Sequence, residues 1–191
     1  MLTADSFIAA ARGYVGVPWR HQGRSRFGID CVGLLVCVAR DLGIPIEDMR
    51  AYERQPRAHD LARLLRRHCV SVPVAGMRRG DIVLMGRPST HVGILTGTYR
   101  PFGLIHVPTN GACVEVRFDP GIHCLRAAYR PLTAESYLHL TEAHGPIPLG
   151  SCLSSHLFYG YDASSYEQGR ICDAGRTANA ARTDPARNRD P

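Results

Sequence analysis

Lysine is absent from the sequence. All 23 basic residues among the 191 are arginine, and with 17 acidic residues they leave a formal net charge of +6. The guanidinium fork pairs well with carboxylates and phosphates, which directs attention to polyanions or carboxylate-rich polymers. The arginines are scattered rather than gathered into a run, which argues against a nucleic-acid partner. No stretch approaches the roughly 18 apolar residues of a membrane helix, so membrane insertion is not expected. The start, "MLTADSFIAAARG", has no basic segment leading into an unbroken apolar one. The expectation is a protein made in the cytoplasm without a signal peptide. Cysteines number seven, an odd count, and none form a CxxC pair. That argues against a disulfide framework or a Cys-pair zinc site, and neither a metal nor a cofactor is expected.

What is present reads as one domain with an appendage. Residues 4–14 place Phe7, Ile8, Ala11 and Val15 at helical spacing, and a Gly- and Pro-punctuated loop follows. A second helix is predicted from Cys31 to Leu42, with Asp30 as N-cap, Gly43 after its end and apolar residues on nearly every face. "AHDLARLLRRHC" predicts an amphipathic third helix. From residue 70 the period changes: "GDIVLMG", "HVGILTG", "GLIHVP", "ACVEVRF" and "LRAAYR" predict about five antiparallel strands. Helices followed by strands give an α+β class. A closing helix is expected around "TAESYLHLTEAH". The domain is placed at 1–150 and an appendage of uncertain role at 151–175. Residues 176–191 form a tail expected to be disordered, because it holds no apolar side chain larger than Ala.

The chemistry concentrates at "RSRFGIDCVGLLVCVARDLG". A cysteine in the first turn of a helix faces unpaired backbone N–H groups and the positive end of the macrodipole, and both favour thiolate. A thiolate nucleophile needs an imidazole, and the imidazole needs a polar group to hold its tautomer. His91 opens one predicted strand and His106 lies in the next, so two neighbouring strands can bring both to one face. Against this stand the ordinary alternatives: a small buried thiol, as Cys37, Cys69, Cys113 and Cys124 are read, and hydrogen-bonded core histidines.

The segments "GYVGVPWRHQGRSRFGIDCVGLLVCVARDLGI", "RRGDIVLMGRPSTHVGIL" and "LIHV" resemble, in order and spacing, the NlpC-type cell-wall cysteine peptidases of the NlpC/p60 superfamily. The resemblance covers roughly residues 5–130. It implies a papain-like fold with the nucleophile at the start of a helix packed on the sheet. It also implies Cys31 as nucleophile, His91 as general base, His106 as orienting residue and Asp30 as structural support. Such enzymes cut peptidoglycan stem peptides, often between D-glutamate and diaminopimelate. Stem peptides are rich in carboxylates, and Arg20, Arg24 and Arg26 in the loop before Cys31 read either as a carboxylate clamp or as a solvated face.

Two positions depart from the family pattern. Val32 stands where serine is common, and Trp19 stands where a tyrosine hydroxyl is usual. The lost hydroxyl can be replaced by the Trp19 indole N–H or by His21, or Trp19 can simply wall the groove. The loop with "HQ" and the ending "AAYR" resemble the versions carried in phage tails and gene-transfer particles. That implies a virion tail-tip component that opens the wall during genome entry, with other tail proteins as partners. Two alternatives stay open: a structural tail-tip protein without activity, and an amidase with the same Cys–His pair.

Overall fold

The computed structural model describes residues 3–54, 56–86 and 90–132. Three helices come first: α1 (Ala4–Arg12), α2 (Cys31–Asp41) and α3 (Ala58–His68). A short two-stranded ribbon, β1 (Arg24–Ser25) and β2 (Gly28–Ile29), lies between the first two. The strands that follow are β3 (Cys69–Val72), β4 (Ile82–Met85), β5 (His91–Thr96), β6 (Gly103–His106), β7 (Val114–Arg117) and β8 (Leu125–Pro131). They form a six-stranded sheet in the order β3-β8-β4-β5-β6-β7, with every neighbouring pair antiparallel. The architecture is the expected α+β arrangement of helices on an antiparallel sheet.

Apolar alternation explains the layering. Ile82 and Leu84 of β4, Ile94 of β5 and Ile105 of β6 share one core with Phe7, Leu35 and Leu64 of the helices. Val83, Met85, Leu95 and Leu104 point the other way and join Phe118 and Ala128 in a second cluster. α2 is buried from Cys31 through Ala39, which accounts for its lack of a polar face. Full burial of each large side chain there, such as Leu34 and Leu35, stabilises the fold by about 1.5–3 kcal/mol.

The sheet has one strand more than the sequence predicts. The "AHDLARLLRRHC" helix stops at His68, and Cys69 turns to extended backbone (φ −143°, ψ 156°). Cys69–Val72 then pairs with β8. Helical periodicity extends to Cys69 on paper, but Val70 and Val72 are β-branched and pack better on a pleated surface. The β1–β2 ribbon likewise falls in a segment whose glycines and proline predict a loop. The "TAESYLHLTEAH" helix, the 151–175 appendage and the 176–191 tail lie outside the described residues.

Candidate functional site

Asp30 is the N-cap of α2 and its carboxylate is 4% exposed. Its Oδ1 accepts from the Gly33 N–H at 2.8 Å, and its Oδ2 accepts from the Gln22 N–H and the Tyr52 hydroxyl, both at 2.6 Å. Gly33 has to be glycine, since a Cβ there would collide with the Gly23 carbonyl oxygen. This close approach brings the 20–23 loop against the first turn of α2, where the loop's Gln22 N–H reaches Asp30. Cys31 follows as the first helical residue, 6% exposed.

The sheet supplies the opposite wall. β5 and β6 pair with Gly93 opposite His106, which makes His91 a diagonal neighbour of His106 on the same face. A Cβ on Gly93 would lie 3.1 Å from the His106 Cβ, so the missing side chain leaves room for the two rings. His91 Nε2 and His106 Nδ1 are 3.0 Å apart, with the rings edge-to-face. That hydrogen bond leaves Nδ1 as the remaining ring nitrogen of His91. A third ring, His123, stands edge-on to His106 with centroids 6.1 Å apart. Its Nδ1 lies 2.8 Å from the Asp119 carbonyl oxygen.

Cys31, His91 and His106 line one cavity of about 240 Å³, together with Trp19, Asp30, Tyr52, Arg54, Thr90 and Pro108. Burial pushes the Cys31 thiol up to about 12, and the Asp30 carboxylate adds to the shift. Backbone N–H groups of Val92, Val32 and Cys31 oppose it. Burial lowers His91 to about 3, with His106 and His123 contributing, and lowers His106 to about 4, with His123 contributing. At rest the site therefore holds a neutral thiol beside neutral imidazoles. Helix position alone predicted a lowered thiol, because it counts the dipole and the N–H groups but not the loss of water.

The structure separates the other residues singled out in the sequence. Trp19 lines the cavity, and its indole N–H donates no hydrogen bond among the described residues. His21 is outside the lining: it stacks on Trp19, meets Tyr52 edge-on, and its Nδ1 lies 3.9 Å from Asp30 Oδ2. Arg24 is buried behind the helix start. Its guanidinium donates to Asp48 Oδ1 at 2.8 Å, to the Met49 carbonyl at 2.9 Å and to the Tyr52 hydroxyl at 3.2 Å. Arg26 points away, toward Asp41 and over the Tyr14 ring. Arg20 is exposed and is not among the lining residues.

Sequence reasoning passed over Tyr52, Arg54 and Pro56, which all reach the cavity. All three come from the segment before α3, outside any helix or strand. Tyr52 brings a hydroxyl to the cavity from a different place in the chain than position 19. Burial and its hydrogen bond to Asp30 raise the pKa of that hydroxyl, so it stays protonated and donating. Among the described residues no group of three or more metal-binding side chains occurs, and no helix is long and apolar enough to cross a membrane.

Comparison with known proteins gives the arrangement a lineage. An NlpC/P60 family protein from Bacillus cereus superposes with a TM-score of 0.53 at 24% identity, over 69% of this chain and 41% of that one. The NlpC/p60 domain of the peptidoglycan hydrolase SagA gives 0.49 at 22% identity, over 67% and 98%. The P60 domain of an antigen from M. avium paratuberculosis gives 0.50 at 15%, over 68% and 93%. At these identities the likeness is one of fold. Curated proteins provide no match. The sequence itself matches the NlpC/P60 family over residues 16–118, from the loop before Trp19 to the end of the sheet's β7 edge. With more than half of its length inside that match, the chain belongs to the NlpC/P60 family.

Proposed function

We propose that the protein is a thiol hydrolase of peptidoglycan stem peptides, in which Cys31 attacks a peptide carbonyl and His91 takes its proton. The observation that carries this reading is the 3.0 Å contact between His91 Nε2 and His106 Nδ1, in the same cavity as the first-turn cysteine. On this reading His91 Nε2–H donates to His106 Nδ1, the tautomer that leaves His91 Nδ1 free to act as the base. Both partners are neutral at rest, so the proton moves from Sγ to Nδ1 as the carbon–sulfur bond forms. The imidazolium then returns it to the leaving amine, and water hydrolyses the thioester. The Cys31 backbone N–H and the unbonded Trp19 indole N–H are the candidate donors to the carbonyl oxygen.

The finer reading is an endopeptidase cutting between D-glutamate and diaminopimelate, carried in a phage or prophage tail tip and acting in the cell envelope. It rests on sequence resemblance. One observation favours a rival without activity: the buried thiol lies far above neutrality, and the family has non-catalytic members. Digestion of purified sacculi followed by mass analysis of the fragments tests the proposal. Free glutamyl and diaminopimelyl termini support the endopeptidase. Release of intact stems from the glycan makes the protein an amidase, and no fragments sink the hydrolase. Co-purification with tail proteins from phage particles tests the setting.

A further inference from the structure

The cavity carries one side chain whose charge nothing among the described residues compensates. Asp30 lines the cavity too, but it is buried and its carboxylate is saturated by three close donors. Arg54, by contrast, is an exposed residue of the 52–56 bank. Most arginines on this surface pair with carboxylates: Arg12 with Glu115, Arg24 with Asp48, Arg79 with Asp5, Arg130 with Asp81. Arg54 has no such partner among the described residues. Its guanidinium carbon sits 4.6 Å over the Trp19 ring, and its Nη2 donates to Asn110 Oδ1 at 2.9 Å. Trp19 belongs to the loop before α2, and Asn110 to the β6–β7 turn, which that loop adjoins through the Trp19 N–H and the Gly111 carbonyl. Asn110 adopts φ 63°, a left-handed conformation that asparagine tolerates better than most residues.

We propose that Arg54 is the specificity-determining residue of the cleft and selects ligands bearing a carboxylate beside the bond that is cut. A stacked guanidinium tethered at one end is held in place before a ligand arrives, so little side-chain entropy is lost when it pairs. Arginine has five N–H donors, and the single hydrogen bond to Asn110 leaves the fork able to take both oxygens of a carboxylate. The cavity is smaller than the roughly 300–1,000 Å³ of sites for drug-sized ligands. It therefore holds part of an extended chain, and a charged group next to the reacting bond falls within its reach. This inference rests on the stem-peptide reading of the same site and names the feature of that peptide which is recognised.

The test uses the full chain carrying Cys31→Ala, which binds without turnover. Calorimetric titration with the tripeptide L-alanyl-γ-D-glutamyl-diaminopimelate is compared with titration of the same peptide with its carboxyl groups amidated. The proposal expects at least tenfold tighter binding of the carboxylate form. That preference should vanish in Cys31→Ala/Arg54→Gln and survive in part in Cys31→Ala/Arg54→Lys, with unchanged melting temperatures. An unchanged preference in Arg54→Gln overturns the assignment, as does equal binding of the two peptides by the parent. Activity of the wild-type protein on sacculi is read separately. Digestion without carboxylate preference removes Arg54's role and leaves the hydrolase. Preference without digestion leaves Arg54's role and removes the hydrolase.

Discussion

On the α2 side of the cleft, Asp30, Arg24, Asp48 and Tyr52 form a partly buried polar cluster in which every charge faces an opposite charge or a donor. On the sheet side, His91, His106 and His123 form a row of three imidazoles, and among the described residues no carboxylate side chain is bonded to any of them. The first cluster is saturated, and moving a proton there would break strong bonds. In the second, burial and the neighbouring imidazoles keep His91 and His106 neutral, so each has a ring nitrogen able to accept a proton. One bank fixes geometry, and the other is the one proposed for the chemistry. The cysteine sits where they meet.

The sharpest way to break this comparison is to remove one member from each bank and read activity and stability separately. His91→Ala should cost at least about 10⁴-fold in kcat/KM, and His106→Ala should fall short of it at about 10²–10⁴-fold, since it acts through His91. Both should keep a melting temperature close to the parent. Peptide-release kinetics with a stem peptide, beside thermal unfolding, measures this.

Asp30→Ala should do the reverse in kind. It removes the helix cap and leaves the Gln22 N–H, the Tyr52 hydroxyl and one face of Arg24 unsatisfied, for a loss of about 3 kcal/mol. Denaturant unfolding reads that loss. A loss under about 1 kcal/mol would show that this bank is not the structural one.

The pH dependence sharpens the contrast with a smaller effect. His91 and His106 sit at about 3 and 4 in the folded protein, against 6.5 without the fold. Between those values the unfolded chain binds protons that the folded one refuses. Stability from these groups is therefore whole above pH 6.5 and is lost as pH falls toward 4 and below. As the proposed base, His91 also stays unprotonated in mild acid, so the acid limb of kcat/KM should lie well below pH 6.5. His123→Phe removes one cause of the lowering at both histidines and should move that limb upward. Thermal melts and pH–rate profiles of the parent and His123→Phe check both signs.

Much of this was legible in the sequence, and the reasons are local. The Asp30 cap, the buried α2 and the strands carrying His91 and His106 each leave a pattern within about ten residues. The first strand of the sheet, Cys69–Val72, was hidden because it continues a helix without a breaking glycine or proline. Tyr52 and Arg54 were hidden because a loop owes its shape to the elements it bridges and carries no periodic core face. Arg24 reads in the sequence as either a clamp or a solvated face, and is neither, for the converse reason. Only the fold shows that its partner, Asp48, lies 24 positions away in the chain and turns it inward. The elevated thiol of Cys31 could not be read either, since burial is a property of the packed protein.

The central claim is that Cys31 is the nucleophile, and Cys31→Ser tests it most directly. Serine keeps the shape of the first turn and its hydrogen-bonding oxygen, but a hydroxyl is a far weaker nucleophile beside an imidazole placed for sulfur. On a single stem-peptide substrate, the wild type should turn over and Cys31→Ser should fall at least about 10³-fold at unchanged melting temperature, with Cys37→Ser equal to the wild type. A Cys31→Ser variant within tenfold of the wild type, or a Cys37→Ser variant that fails in its place, would contradict the account.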